Sequence, residues 1–282
     1  MIPPRSTIRG LSHTLSRAAR CGVITACCVA AGAAPAQDFR IGGTGGALGT
    51  MQQLADAYVG QYPDIGIVVL PSLGSGGGIK AVLAGAIAIA VSARPLKESE
   101  IAAGAQAVKY ARTPFIFATT VGNPTDALTM QELIAIYAGS TETWPDGARI
   151  RLVLRPVGDS DSDMIKSMSP AMREAKLLAE QRKGLAFAVT DQDAADNLEK
   201  IPGALGPSTL AQILSEQRAL KALRLDGIKP GAQSIADGSY PYYKTMYIVT
   251  TTRTPPPARK FIEFVQSAAG RVILERTGHW VE

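Results

Sequence analysis

Three short segments place polar or glycine residues between an apolar run and an amphipathic one. They are residues 42–49, beginning Gly42-Gly43-Thr44-Gly45-Gly46, then Gly74-Ser75-Gly76-Gly77-Gly78, and a third from Arg155 to Asp159-Ser160-Asp161. Each reads as a turn that leaves a strand and opens a helix. The first N–H groups of a helix are unpaired and lie at the positive end of its dipole. Glycine lets such a backbone approach a ligand closely. Three turns of this kind around one cleft make an anion cradle. Two arginines, Arg94 and Arg155, follow apolar runs at strand ends. A guanidinium grips a tetrahedral oxyanion through two hydrogen bonds, although the same side chain serves equally in a surface ion pair. Ser75, Ser160 and Ser162 offer hydroxyls, and Asp159, Asp161 and Asp163 stand beside the last two. The plain role of those carboxylates is to cap the helix.

Other chemistries are excluded by what is missing. A dinucleotide fingerprint needs glycine at Leu48, and a phosphate-binding P-loop needs Gly-Lys-Ser/Thr where Ile79-Lys80-Ala81 stands. The three cysteines, Cys21, Cys27 and Cys28, and one of the two histidines, His13, fall within the first 36 residues. Beyond them no zinc, iron–sulfur, disulfide or Cys–His arrangement can be built. His279, beside Trp280 near the chain end, is read as a packing or surface residue, because no nucleophile is paired with it. The three aspartates lack the glycine and glutamate spacing of a calcium loop. No cofactor, no metal and no enzymatic turnover are expected.

The first 36 residues are an address. Arg5, Arg9, Arg17 and Arg20 precede an apolar run from Cys21 to Ala34, and Ala34-Pro35-Ala36 has the small-residue pattern of a cleavage site. A secretory signal over 1–36, cut after Ala36, is the expectation, and it puts the protein in the periplasm. Gln37, Asp38 and Arg40 end the apolar run well short of the about 20 residues a membrane span needs. Ile24-Thr25-Ala26-Cys27 has the look of a lipoprotein signal, but only residues 21–24 would then be the apolar stretch. The formal charge of +5 comes from 29 Lys and Arg against 24 Asp and Glu. Four of those arginines lie in the leader, which leaves 25 against 24, so the basic balance does not speak for nucleic acid.

The elements that must position the turns alternate between strand and helix, which argues an α/β fold. Strands are expected at 39–41, 65–70, 87–91, 114–121, 149–154, 185–189 and 245–250. Helices are expected over 97–103, 129–137, 159–168, 210–220, 257–265 and 269–276. A further helix carries Leu48, Met51, Leu54, Ala55, Tyr58 and Tyr62 at helical spacing, and another opens at 79–83 after the second glycine turn. Residues 191–208 give no clear period.

The order of these motifs resembles the periplasmic phosphate-binding proteins of ABC transporters. The resemblance is carried by Ile41-Gly42-Gly43-Thr44-Gly45, Tyr62-Pro63-Asp64, Gly74-Ser75-Gly76-Gly77-Gly78-Ile79-Lys80-Ala81 and Ser92-Ala93-Arg94-Pro95-Leu96. It continues through Asp226-Gly227-Ile228-Lys229-Pro230, Asp237-Gly238-Ser239-Tyr240-Pro241, Phe261-Ile262-Glu263-Phe264-Val265 and Gly270. The resemblance implies a two-lobed type II periplasmic binding-protein fold, each lobe a mixed sheet flanked by helices with the ligand cleft between. Lobe 1 would comprise 37–117 plus 240–282, and lobe 2 would comprise 118–239. It further implies capture of phosphate or a related oxyanion for a membrane permease, by a monomer. The family's contacts fall on the backbone of Ala47 and Leu48, on Ser75 with Gly76 beside it, on Arg155, and on Asp159-Ser160-Asp161 or one residue later. The family's phosphate-sensing aspartate falls on Ala93, with Arg94 next to it. Hydrogen phosphate carries a proton that needs an acceptor and sulfate does not, so Asp159 or Asp161 would supply that acceptor from the other lobe. Alternatives are a sensor or regulatory protein on the same fold, and a secreted phosphoester hydrolase, against which the shortage of histidine argues.

N-terminal sequencing of the exported protein is expected to begin at Gln37. A lipid-bearing form beginning at Cys27 would replace the cleavage reading with the lipoprotein one.

Overall fold

Apolar runs bounded by glycine set up two parallel β–α–β steps at the start of the fold. The computed structural model describes residues 38–282; the expected signal peptide and cleavage site and the three cysteines lie outside the described residues. Strand β1 (Phe39–Gly43) leads into helix α1 (Gly45–Val59), whose Ala47, Leu48, Met51, Leu54, Ala55 and Tyr58 form the buried face. Strand β2 (Ile67–Val69), helix α2 (Gly74–Leu83) and strand β3 (Ile89–Ser92) follow, and β2 and β3 flank β1 in parallel. Helix α3 (Glu98–Ala102) precedes a long strand, β4 (Gln106–Thr120).

The middle of the chain repeats the alternation. It contains β5 (Ala127–Leu128), α4 (Met130–Ala138), β6 (Arg151–Leu154), α5 (Ser160–Met168), α6 (Pro170–Gln181), β7 (Ala186–Phe187), α7 (Asp191–Lys200), β8 (Ala204–Thr209) and α8 (Leu210–Ser215). Short strands β9 (Leu220–Ala222) and β10 (Arg224–Leu225) and helix α9 (Ala232–Ala236) lead to β11 (Tyr243–Thr250), and α10 (Pro256–Gln266) and α11 (Ala268–Arg276) close the chain.

Nine strands run in the order β2-β1-β3-β11-β4-β8-β6-β7, with β9 also on β4. Strand β4 joins two halves. Residues from Gln106 to Pro114 pair antiparallel with β11, whereas Phe115 to Ala118 pair with β8 and Ala118 to Thr120 with β9. The apolar cores divide at the same place. Ile41, Met51, Ile89, Tyr110, Ile248 and Phe261 pack in one cluster, and Phe115, Leu133, Tyr137, Leu154 and Tyr240 in another. The result is a two-lobed α/β fold with helices on a mixed sheet.

Some expected boundaries move. Residues 74–78 are not a turn before a helix but the first turns of α2 itself. Glycine is a poor helix former, yet a methyl group on Gly78 would lie 2.6 Å from the Gly43 Cα. Gly43 has φ +138° and a carbon there would meet the Val91 carbonyl at 2.0 Å. The two backbones touch, and only glycine allows it. Strand β4 begins eight residues before the expected 114 because pairing with β11, not its own polar segment 106–113, makes that half a strand. Residues 191–208 become α7 and β8, and the helix expected over 210–220 stops at Ser215. Helix α6 is not anticipated; its buried face is Met172, Ala175, Lys176 and Ala179, too few large apolar residues to give a period.

His279 is fully buried against Tyr110, as a packing residue. Its Nδ1 lies 3.3 Å from the Leu274 carbonyl and its Nε2 has no partner. Burial pulls its pKa down to about 4, so the ring is neutral in the fold. The unfolded chain therefore binds the extra proton between pH 6.5 and 4, and stability is lost as pH falls through that window. Urea unfolding at pH 7 and pH 4 is expected to show wild type losing about 3 kcal/mol more than His279→Gln over that interval. Equal losses would rule out a buried neutral imidazole.

Candidate functional site

The expected turns lie at the C-terminal ends of parallel strands, where the helices that follow point their N-termini inward. Strand β6 ends at Leu154, and Arg155 follows it into the interior with 2% of its surface exposed. Its Nη1 donates to the Ala188 carbonyl at 3.1 Å and its Nη2 to Asp159 Oδ2 at 3.1 Å. Its Nε lies 3.3 Å from Asp161 Oδ2 in poor hydrogen-bond geometry and is left without a partner. Asp159 caps α5, its Oδ1 accepting from the Asp161 N–H at 2.9 Å. Capping and ligand contact are thus not exclusive at this residue, since its other oxygen holds the guanidinium. Ser162 Oγ donates to the Arg155 carbonyl at 3.0 Å.

Two residues that local sequence did not single out complete the cluster. Lys244, near the start of β11, is buried, pairs with Asp161 and donates to Ser160 Oγ at 3.1 Å. Asp191, the first residue of α7, is buried 3.8 Å from Arg155 Nη2. A signal for Asp191 was present. Thr190-Asp191-Gln192-Asp193 follows an apolar run and forms a capping box, a fourth strand–polar turn–helix segment like the other three. Lys244 carries no such signal; nothing local tells a buried lysine from an exposed one on a strand.

The electrostatics follow from burial and sign. Burial would raise the proton affinity of Asp161, but Lys244 and then Arg155 outweigh it and hold its carboxyl below the ordinary carboxylate range. Asp191 is pushed up, first by burial and then by the charge of Asp161. Asp159 is pushed up for the same two reasons. Burial disfavours the charge on Lys244, and Asp161, Asp191 and Asp159 together more than restore it.

The first glycine turn is engaged as well. The Gly45 N–H, at the start of α1, donates to Asp191 Oδ2 at 2.8 Å, and the Gly45 carbonyl accepts from Gln192 Nε2 at 3.1 Å. A side-chain carbon on Gly45 would meet Gln192 Oε1 at 2.3 Å and Asp191 Cβ at 2.8 Å, so glycine is required for this approach. Ala47 and Leu48 are buried within α1, and the Ala47 N–H turns back to the Thr44 carbonyl at 3.2 Å. Of the first turn, the N–H that reaches the Arg155 cluster is that of Gly45, through Asp191. Ser75 Oγ, near the start of α2, accepts from the Ala93 N–H at 3.0 Å, with Gly76 beside it.

Arg94 is held elsewhere. Its guanidinium meets Glu100 at 2.7 and 2.9 Å and the Pro95 carbonyl at 2.8 Å. The hydrogen bond from Arg94 lowers the Glu100 pKa to about 2. Arg94 thus completes a local ion pair within its own loop, neither an interlobe pair nor a member of the Arg155 cluster. An open cleft of about 370 Å³ lies between residues 93–95 and the start of α5, with Ser160, Lys244 and Tyr247 in its walls. A second cavity of about 420 Å³ lies away from this cluster, beside Arg149, Arg151 and Arg182. No group of three or more His, Cys, Asp or Glu among the described residues is arranged to hold a metal. No helix among them is long and apolar enough to cross a membrane.

Comparison with known proteins gives the fold a lineage. The PBP superfamily domain family PBP_like_2 matches residues 29–269. The phosphate-binding protein PstS of Bacillus subtilis is 26% identical over 225 residues, covering 76% of this chain and 70% of that protein. A phosphate ABC transporter substrate-binding protein from Clostridium perfringens, solved with bound phosphate, superposes with a TM-score of 0.73 at 21% identity, covering 87% of this chain and 100% of that one. The periplasmic molybdate-binding protein of Azotobacter vinelandii superposes with a TM-score of 0.61 at 17% identity, covering 86% and 99%. With the parallel strands, the crossing strand β4 and the inward helix N-termini already in place, the match over most of its length shows that this chain belongs to the PBP superfamily and has the two-lobed type II periplasmic binding-protein fold.

Proposed function

We propose that this protein is exported to the periplasm, captures phosphate or a closely related oxyanion, and delivers it to the membrane permease of an ABC transporter. It binds and releases its ligand as a monomer, without turning it over. The lobes of this reading are 37–117 with 240–282, and 118–239, and the ligand is held between them. The observation that carries the reading is Arg155: a buried guanidinium after a parallel strand, at the start of one helix and facing the N-terminus of another, in a chain related to a phosphate-binding protein. A buried charge is costly unless it is matched, and here the matching groups stand at two helix N-termini, where an anion is also favoured.

In this reading Arg155 is the charged anchor, Ser75, Gly76 and Ser160 line the site, and Gly45 presents its N–H. Ala93 supplies no carboxylate on the first lobe. Asp159 and Asp161 supply them from the facing loop, and the two differ in their hold on a proton. Asp161 is matched by Lys244, whereas burial raises the proton affinity of Asp159 and so makes its carboxylate the stronger acceptor of a shared proton. Asp159 is therefore the better partner for hydrogen phosphate, because a carboxylate beside an unprotonated dianion is repelled.

Calorimetric titration with phosphate, arsenate, sulfate and molybdate tests the reading. Arg155→Ala is expected to weaken phosphate binding about tenfold or more, the loss of a charge-assisted contact. Asp159→Asn keeps the helix cap and is expected to lower the ratio of phosphate to sulfate affinity. Unchanged phosphate affinity in Arg155→Ala would remove the anchor, and unchanged selectivity in both Asp159→Asn and Asp161→Asn would remove the proton acceptor.

A further inference from the structure

Counted together, the cluster is not arranged as a plain anion receptor. Arg155 and Lys244 bring two positive charges, and Asp159, Asp161 and Asp191 bring three negative ones, all at least four-fifths buried. A dianion entering unaltered would meet an excess of negative charge in a medium that screens it poorly. One carboxylate has to give way, and the geometry separates the three. Asp161 lies against both Lys244 and Arg155. Asp159 accepts from the α5 backbone with one oxygen and from Arg155 with the other. Asp191 has one hydrogen bond, from the Gly45 N–H, and reaches Arg155 only at 3.8 Å. It is the least firmly held, and it lies where an anion at the N-terminus of α1 would lie. Arg155 Nε lies 3.3 Å from Asp161 Oδ2 outside good hydrogen-bond geometry, so the hold of the cluster on this guanidinium edge is loose.

We propose that the Asp191 carboxylate is a built-in stand-in for the ligand, and that an oxyanion takes its place at Gly45 and Arg155 only as Asp191 takes up a proton or withdraws with α7. This rests on the oxyanion-capture reading and adds to it a residue that sets affinity and charge selection. The proton comes from solvent and bonds to a carboxylate oxygen of Asp191; no other bond breaks. The cluster is then balanced, two positive charges against two negative, before the anion's own charge is added. The charged groups that face Asp191 are Arg155 after β6, Asp159 and Asp161 at the start of α5, and Lys244 on β11; α1 presents backbone only. Burial and the neighbouring Asp161 both raise the proton affinity of Asp191, in the direction the exchange requires.

The test compares wild type, Asp191→Asn and Asp191→Ser by calorimetry with inorganic phosphate and sulfate at pH 8 and pH 5. Asparagine keeps the shape and an acceptor for Gly45 while removing the charge; serine covers the case in which the asparagine variant folds poorly. Phosphate is expected to bind the variants about tenfold or more tightly than wild type at pH 8, because one buried like charge is removed, with the gap narrowing at pH 5. Sulfate, which has no proton to share, is expected to gain more than phosphate. Titrations in buffers of different ionisation enthalpy should show wild type taking up more protons on binding than either variant. Binding to the variants alone would also support the stand-in role. Wild type and variants binding phosphate alike at pH 8, with equal proton uptake, would overturn this inference and leave the capture reading standing. Absence of oxyanion binding in all three proteins would overturn both.

Discussion

A guanidinium cannot be buried by itself, and much of this fold is organised around that constraint. Arg155 is always charged, and the interior offers it no water. The chain answers with carboxylates from two different helix starts, Asp159 and Asp161 on α5 and Asp191 on α7. Three carboxylates for one cation would be an imbalance, and Lys244 from β11 offsets part of it. The cluster therefore ties strand β6, two helix N-termini and the returning strand together at one point. Arg155 and Lys244 are both buried, so loss of either leaves carboxylates without a matching cation, a cost of about 3–5 kcal/mol for a broken buried pair.

The same cluster is where the two halves of the fold meet. Asp191 accepts from Gly45 and Gln192 donates to it, so the start of α7 grips the start of α1 by both its N–H and its carbonyl. That grip needs the bare backbone of Gly45. A similar economy of space governs Gly43 and Gly78, where two backbones touch. Glycines that look in sequence like flexible phosphate loops are here mainly a condition of close packing. Being close-packed and offering an N–H to a ligand are compatible, because the absence of a side chain serves both.

The type II fold is shared by proteins described as binding phosphate and molybdate. The fold supplies helix N-termini and a cleft; it does not by itself choose the anion. Choice depends on which charges line the cleft. In this chain the position after β3 is Ala93, Arg94 is turned to Glu100, and the acidic groups stand on the opposite side. The acidic groups share their space with Arg155.

The sequence by itself determined the α/β class, the order of strand–turn–helix units, Arg155 after its strand and the capping role of Asp159. These are local properties: hydrophobic period, glycine punctuation and a cap lie within a few residues of one another. Tertiary structure alone decided that 74–78 is helix, that residues 106–113 become strand through pairing with β11, and that Arg94 belongs to Glu100. It alone brought Lys244 to Asp161 and Asp191 to Arg155, across separations of 83 and 36 residues. Burial and charge neighbours are set by contacts between distant segments, and a chain read in order carries no record of which buried lysine will face which aspartate. That pairing, more than any motif, sets the electrostatics of the site.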